Sequence, residues 1–413
     1  MPIDTFEING VRVVNVKNQS EIAFFGIGIL AGSIYETPKI AGIAHYTEHM
    51  IFKGTKKRTW KDILEEFGDL GVNANAFTDR TEVLYHITCP KHNIEPVIDL
   101  LTDMFFRSTF PEEELEKERT VILEEMKMYE DDPKMSFADQ IPERLFTWSK
   151  GHNIIGTEGS VKSITRKDIC DFLNNLCNPQ NFVMICCGDI DTEDLKGYLR
   201  KSIPAFHLYL EGTLRNEVED DFWVPRDKND LIVVEREKIT QSVISMFTDY
   251  MPADDDDYLA GQILLNAVGG GWHSKLFVKI REELGLCYSV GMSSQAYAYP
   301  KDMVAEIFGY TSPENVDLFM EESEKVLDDI LTNGLDEALF NRSKIDYIAF
   351  LLRKQETSMG RAMSMAKRYI VGHYTPPESV VEEMQAVTVD DCNRVMERVI
   401  GGKRQWAVMN PKG

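Results

Sequence analysis

Residues 163–189 read SITRKDICDFLNNLCNPQNFVMICCGD, and residues 386–411 read AVTVDDCNRVMERVIGGKRQWAVMNP. Each stretch opens on a threonine with an aspartate three residues later, Thr165 with Asp168 and Thr388 with Asp391. In that spacing the threonine hydroxyl and the carboxylate satisfy each other's backbone donors, which starts a helix. A helical apolar period follows, then a turn, then an apolar strand. The two stretches close the two halves of the chain, and their likeness predicts that the halves are copies of one plan.

The order of elements outward from them agrees. In the first half the strand-like residues 21–33, EIAFFGIGILAGS, lead to a helix carrying HYTEHM at 45–50. A second helix opens at Thr59, with Asp62 in the capping position. Extended segments follow at 73–78 (NANAFT) and 81–89 (TEVLYHITC), rich in β-branched and aromatic residues. Next, Ile94, Val97, Ile98, Leu101 and Phe105 mark an apolar helical face, and an acidic helix runs from about 111 to 130. The second half repeats this series. Residues 241–250 are extended, 257–271 helical up to their glycines, and 275–285 (KLFVKIREELG) form a second helix. Residues 287–297 and 303–310 are extended, 314–331 are helical, and a long helical pair ends near Gly372. The expected fold is α/β (α+β): two homologous sandwich domains from an internal duplication, residues 1–212 and 233–413. The polar, acidic stretch 213–232 is the expected linker.

Composition narrows the function. With 43% hydrophobic and 27% charged residues, the 413-residue chain reads as an ordinary globular protein. No basic start leads into an apolar run, and no apolar stretch nears the roughly 20 residues that span a bilayer, so neither secretion nor membrane residence is expected. Seven cysteines, with Cys186 and Cys187 adjacent and no CxxC, read as reduced thiols in a reducing, cytoplasmic compartment. A net charge of −23 argues against a nucleic-acid partner and favours cationic ligands wherever the acid faces a cavity.

His45 and His49 lie four apart on a predicted helix, so both imidazoles can reach one tetrahedral zinc ion. Glu48 flanks the same face, where it would act as general base toward an attacking water. The competing reading is a chance meeting of polar residues on an exposed turn. A catalytic zinc also needs a third protein ligand. Glu118 and Glu125, seven apart, share a helix face with Ile122, so one could bind metal while the other supports the site. Glu124 points about 100° away from Glu125; with Glu113 and Glu114 it reads as solvated surface. The remaining histidines (86, 92, 152, 207, 273 and 373) lack ligand spacing, and Gly269–Gly271 lacks the residues of a phosphate loop.

Taken in order, HYTEHMIFKGT (45–55), NAFT (75–78), ERTVILEEM (118–126) and GGGWHSKLFVKIREELGLCYSV (269–290) resemble the pitrilysin-type family of inverted-motif (HxxEH) zinc peptidases. The family includes processing-peptidase β subunits, insulysin and pitrilysin. Thr47, where many relatives have leucine, and Gly71-Val72, where many have two glycines, depart from its pattern. The resemblance implies that His45, His49 and Glu125 hold Zn2+, since 125 − 49 = 76 is the family's spacing to its third ligand. It makes Glu48 the base and Glu118 the second acid. It adds Arg281 and Tyr288 as groups that hydrogen-bond substrate carbonyls or the developing oxyanion. Asn75, Ala76 and Phe77 become an edge strand to which a peptide adds as one more strand. It also implies peptide substrates, short or unfolded, held in a chamber of four such domains; the net charge of −23 adds the expectation that basic peptides are favoured. A two-domain chain would then pair with itself or with a related subunit, and in a homodimer Arg281 and Tyr288 would serve the partner's zinc site. The alternative is a non-catalytic peptide-binding or scaffold subunit of the same family, which predicts a lost ligand or a lost Glu48; all are present.

Overall fold

A computed structural model of the chain describes residues 2–176, 178–203, 223, 231–372 and 377–412. The first half carries strands β1 (Ile3–Ile8), β2 (Val11–Lys17), β3 (Ile22–Ile29), β4 (Asn73–Thr78), β5 (Val83–Pro90) and β6 (Phe182–Gly188). Its helices are α1 (Ile43–Ile51), α2 (Trp60–Leu70), α3 (Ile94–Arg107), α4 (Glu112–Asp131), α5 (Pro133–Leu145), α6 (Trp148–Gly151), α7 (Glu158–Ser163), α8 (Arg166–Leu176) and α9 (Thr192–Ser202). The second half carries β7 (Ile232–Arg236), β8 (Ser242–Tyr250), β9 (Cys287–Ala298), β10 (Asp302–Thr311) and β11 (Gln405–Pro411). With them come α10 (Tyr258–Gly269), α11 (Val316–Asn333), α12 (Glu337–Lys354), α13 (Ser358–Ile370), α14 (Pro377–Ala386) and α15 (Val389–Val399).

The duplication is visible in strand order. One sheet runs β1-β2-β6-β3-β5-β4 and the other β7-β11-β8-β10-β9. In each, one parallel pair (β2 with β6, β7 with β11) is followed by antiparallel neighbours, so the second sheet repeats the first without β1. The capping pairs Thr59–Asp62 and Thr388–Asp391 form complete capping boxes, and Thr165 and Asp168 bond reciprocally in the same way.

The chain separates into two compact units that are not contiguous in sequence. The first comprises residues 1–128, 148–220 and 354–377; the second comprises 129–147, 221–353 and 378–413. This departs from the contiguous reading 1–212 and 233–413 at two helices. In the first unit Ala362, Met365, Tyr369 and Ile370 of α13 pack against Val14, Phe24, Leu84 and Ile185 of the sheet. In the second unit Phe137, Ile141 and Leu145 of α5 pack against Val243, Phe247, Val304 and Met409. A central strand covered on both faces is apolar throughout, and β3 is buried along its length after Ile22. Most of the expected linker lies outside the described residues. One expected helix differs in kind: residues 277–283, within KLFVKIREELG, form a π-helix.

Candidate metal centre

The helix that bears the histidines is held at its first turn from outside. Gly42 caps α1 at φ 89°, and a Cβ there would lie 2.4 Å from the Ile155 carbonyl oxygen, which only glycine tolerates. No side chain of the helix caps its free N–H groups. Glu36 supplies the acceptor, taking hydrogen bonds from Gly42 N at 2.7 Å and Ala44 N at 2.8 Å. His152 Nε2 meets the same carboxylate at 3.0 Å, and its Nδ1–H donates to the Trp148 carbonyl at 2.7 Å. Burial pushes the Glu36 carboxyl above its usual range, against the pull of His152 and Ala44 N–H. Tyr46 then ties α1 to α4, its hydroxyl donating to the Leu115 carbonyl at 2.5 Å while Arg119 lies over its ring.

This packing turns His45 and His49 toward α4. Glu125 Oε2 lies 3.7 Å from His45 Nε2 and 3.5 Å from His49 Nε2. One donor atom from each of the three residues falls within 4.8 Å of the others, and among the described residues this is the single such group. Tetrahedral zinc with bonds of about 2.0–2.1 Å places its ligand atoms about 3.4 Å apart, so a slight closure of the cluster fits the ion. The tautomer of His49 fits as well, whereas His45 Nδ1 is buried without a hydrogen-bond partner among the described residues. His49 Nδ1–H donates to Glu118 Oε2 at 3.0 Å, which leaves Nε2 to face Glu125. Glu118 is buried, and its other oxygen is ion-paired with Lys53 Nζ at 2.5 Å.

Electrostatics separates the two imidazoles. Burial first, then the neighbouring His49, pushes His45 down to about 4. Burial works against the charge on His49 too, yet hydrogen bonds to Glu118 and Glu125 raise it to about 9. Burial also raises Glu118, but His49 and Lys53 outweigh it and the carboxyl lies below its usual range. Glu48 is pushed up by burial, and its Oε2 accepts a 2.5 Å hydrogen bond from the Thr78 hydroxyl on β4.

Comparison with known proteins agrees with this geometry. Residues 12–158 match the family described as Insulinase (Peptidase family M16), and residues 163–346 match its companion, Peptidase M16 inactive domain. The chain belongs to peptidase family M16. Similar proteins include an uncharacterized zinc protease of Bacillus subtilis, 26% identical over 98% of this chain and 97% of its own length. Another is the mitochondrial-processing peptidase subunit beta of Dictyostelium discoideum, 27% identical over 95% of this chain and 85% of its own. A peptidase M16 inactive-domain structure from Pseudomonas fluorescens shares the fold at a TM-score of 0.89, with 18% identity, covering 100% of this chain and 98% of that one.

Among the described residues the second unit holds no group of three metal-ligating side chains. By order of elements α10 is the counterpart of α1, and α12 of α4. Where α1 has histidines four apart, α10 has Gln262 and Asn266. The Gln262 amide donates to Tyr250 Oη and Ser294 Oγ, each at 2.9 Å, and accepts from Tyr347 Oη of α12 at 2.9 Å. Asn266 Nδ2 donates to the Ser343 carbonyl at 2.8 Å. The helix at the corresponding place in the order of elements thus carries uncharged amides satisfied by their neighbours.

The other expected site residues fall as follows. Arg281 sits in the π-helix of the second unit, its guanidinium 4.6 Å from the Phe277 ring and 4.8 Å from the Tyr288 ring. Tyr288 is 81% exposed at the start of β9. Asn75, Ala76 and Phe77 lie on β4, which is an edge strand of its sheet. Phe77 packs against the cluster beneath α13, and Thr78, next along the strand, turns to Glu48. Glu124 is exposed and paired with Lys127 at 2.7 Å, as its position predicts. Glu114 corrects the expectation of a solvated face: its side chain is only 15% exposed, paired with Lys117 at 2.8 Å. His207 and His373 lie outside the described residues. Glu36, Tyr46, Lys53, Thr78 and His152 were not foreseen in these roles; Tyr46, Lys53 and Thr78 sit inside motifs the sequence singles out, whereas Glu36 and His152 do not.

Proposed function

We propose that this chain is a zinc-dependent endopeptidase acting on short or unfolded peptides. The observation that carries the reading is the convergence of His45, His49 and Glu125, with Glu48 beside them and a supporting carboxylate behind His49. His45, His49 and Glu125 would hold the ion, leaving a fourth position open. When bound, zinc supplies Lewis acidity, polarising the scissile carbonyl and acidifying the attacking water. Glu48 takes the proton from that water at a carboxylate oxygen and returns it to the leaving nitrogen. Its burial suits the task, because a raised pKa brings a carboxylate nearer to the operating pH. Thr78 holds the carboxylate in place, and Glu118 keeps the ring of His49 oriented.

The backbone of Asn75–Phe77 offers an unpaired edge to an extended peptide, which would read main chain more than side chain. Arg281 and Tyr288 supply hydrogen-bond donors to substrate carbonyls or to the oxyanion. The duplicated domains are residues 1–212 and 233–413, with α5 and α13 as exchanged extensions. The working form is a dimer, of this chain or with a related subunit, in the cytoplasm. Among the described residues no helix is long and apolar enough to cross a membrane. With a net charge of −23, basic peptides should be preferred, and the preference should fade as salt rises.

The test is a peptide library digested with and without a chelator, the products read by mass spectrometry. Cleavage that stops with chelator and returns with zinc supports the reading. Bound zinc with no cleavage of any peptide would leave a scaffold subunit in its place.

A further inference from the structure

The loop joining α1 to α2 carries five cations in nine residues, KGTKKRTWK at 53–61, in a chain whose net charge is −23. With Thr109, Pro111, Glu113 and Glu114 these residues line an open pocket of about 510 Å³ in the first unit. The lining carries Lys53, Lys56, Lys57, Arg58 and Lys61 together with Glu113 and Glu114.

The cations divide into two groups. Arg58 is spent on Glu66, Asp99 and Asp103, at 2.8–3.0 Å, and Lys53 on Glu118. Both glutamates of the lining share one counter-ion, Lys117, at 2.8 Å. Lys57 has only a 4.0 Å approach to Asp99. Among the described residues, neither Lys56 nor Lys61 has a carboxylate within ion-pair distance. Lys61 lies over the ring of Trp60, 5.5 Å from its centre, and Trp60 also lines the cavity. Three exposed ammoniums without a firm counter-ion therefore surround one cavity.

We infer that this cavity binds a compact polyvalent oxyanion of the phosphate type. Lysine ammoniums bind phosphate as point charges with rotatable donors. At physiological salt the screening length is about 8 Å, so a small ligand senses the local lysines more than the distant acid of the chain. A cavity of this volume suits a small molecule. Of the lining cations Lys53 is tied to the proposed metal centre through Glu118; Lys56, Lys57 and Lys61 form no ion pair with Glu118 or Glu125 among the described residues, so they can be changed apart from it.

The test uses the full chain as purified, titrated calorimetrically with inorganic tripolyphosphate at low salt, with hexaglutamate as the competing chemistry. Wild type should bind one tripolyphosphate with a submillimolar Kd. The triple variant Lys56→Gln, Lys57→Gln, Lys61→Gln should bind at least tenfold more weakly while keeping its zinc and melting temperature. Heat from chelation of the metal is common to both proteins and cancels. The control is a triple variant of three exposed lysines elsewhere, Lys162→Gln, Lys167→Gln and Lys201→Gln, which should bind as wild type does. Three results would overturn the site: no saturable binding, equal binding by wild type and the loop variant, or an equal loss in the control. Hexaglutamate binding as tightly as tripolyphosphate would overturn the ligand class. None of these outcomes depends on whether the chain cleaves peptides.

Discussion

Consider Glu118→Gln, a change of one buried carboxylate to the amide of the same shape. Glu118 spends one oxygen on His49 Nδ1 at 3.0 Å and the other on the Lys53 ammonium at 2.5 Å. A glutamine has one acceptor and cannot serve both donors. If its oxygen stays on His49, its NH2 faces an ammonium; if the oxygen turns to Lys53, the NH2 faces His49 Nδ1. The ammonium is the stronger donor, so the second arrangement wins. It demands the other imidazole tautomer, with the proton on Nε2, the nitrogen that must stay free for metal. Losing such a partner behind a ligand costs about 10–100-fold in metal affinity, or about 1.4–2.7 kcal/mol. Competition between the protein and a fluorescent zinc chelator measures it directly. Lys53→Met leaves the Glu118–His49 bond in place and should weaken zinc less than Glu118→Gln does. A Glu118→Gln affinity within twofold of wild type, or a larger loss in Lys53→Met, would refute the reasoning.

Three further outcomes are expected. Glu125→Gln should lose zinc by elemental analysis while Glu124→Gln retains it, since only Glu125 reaches both histidines; the reverse pattern would overturn the ligand assignment. Glu36→Gln leaves one buried donor at the start of α1 or on His152 without an acceptor, at about 1–3 kcal/mol. Calorimetric melting should show the corresponding fall, about 2–4 °C per kcal/mol for a domain of this size. Burial raises Glu82 to about 8, so the folded state holds its proton more tightly than the unfolded state does. Stability should therefore fall as pH rises from 4.5 toward 8, and Glu82→Gln should remove about 2–3 kcal/mol of the loss that wild type shows between pH 6 and 9; parallel melting curves for the two proteins would contradict it.

What could be read in advance was local. Capping boxes such as Thr59–Asp62 span three residues, and the His45–His49 pair follows from helix geometry alone, so both were legible without tertiary knowledge. The shared face of Glu118 and Glu125 was legible too, but helix spacing alone left open which of them is the ligand, and the family resemblance chose Glu125. That choice depends on how α1 lies on α4, set by Tyr46 and Leu115, which are 69 residues apart. Glu36 caps α1 from a loop and is braced by His152, 116 residues away, a pairing that no periodic pattern announces. The helix at 133–145 was not anticipated, and the helical pair ending near Gly372 was, but not the sheet against which α13 packs. The π-helix at 277–283 was missed because apolar spacing does not distinguish a bond to the fifth residue from one to the fourth.

The central claim is that a bound zinc and Glu48 together cleave peptide bonds. It is tested most directly by measuring zinc content and peptide turnover on the same samples of wild type and Glu48→Gln. About one zinc per chain is expected in both, and turnover lower by about 10²–10⁴ in the variant, the usual worth of a positioned general base. Native turnover by Glu48→Gln, or a wild-type chain that cleaves without zinc, would contradict it.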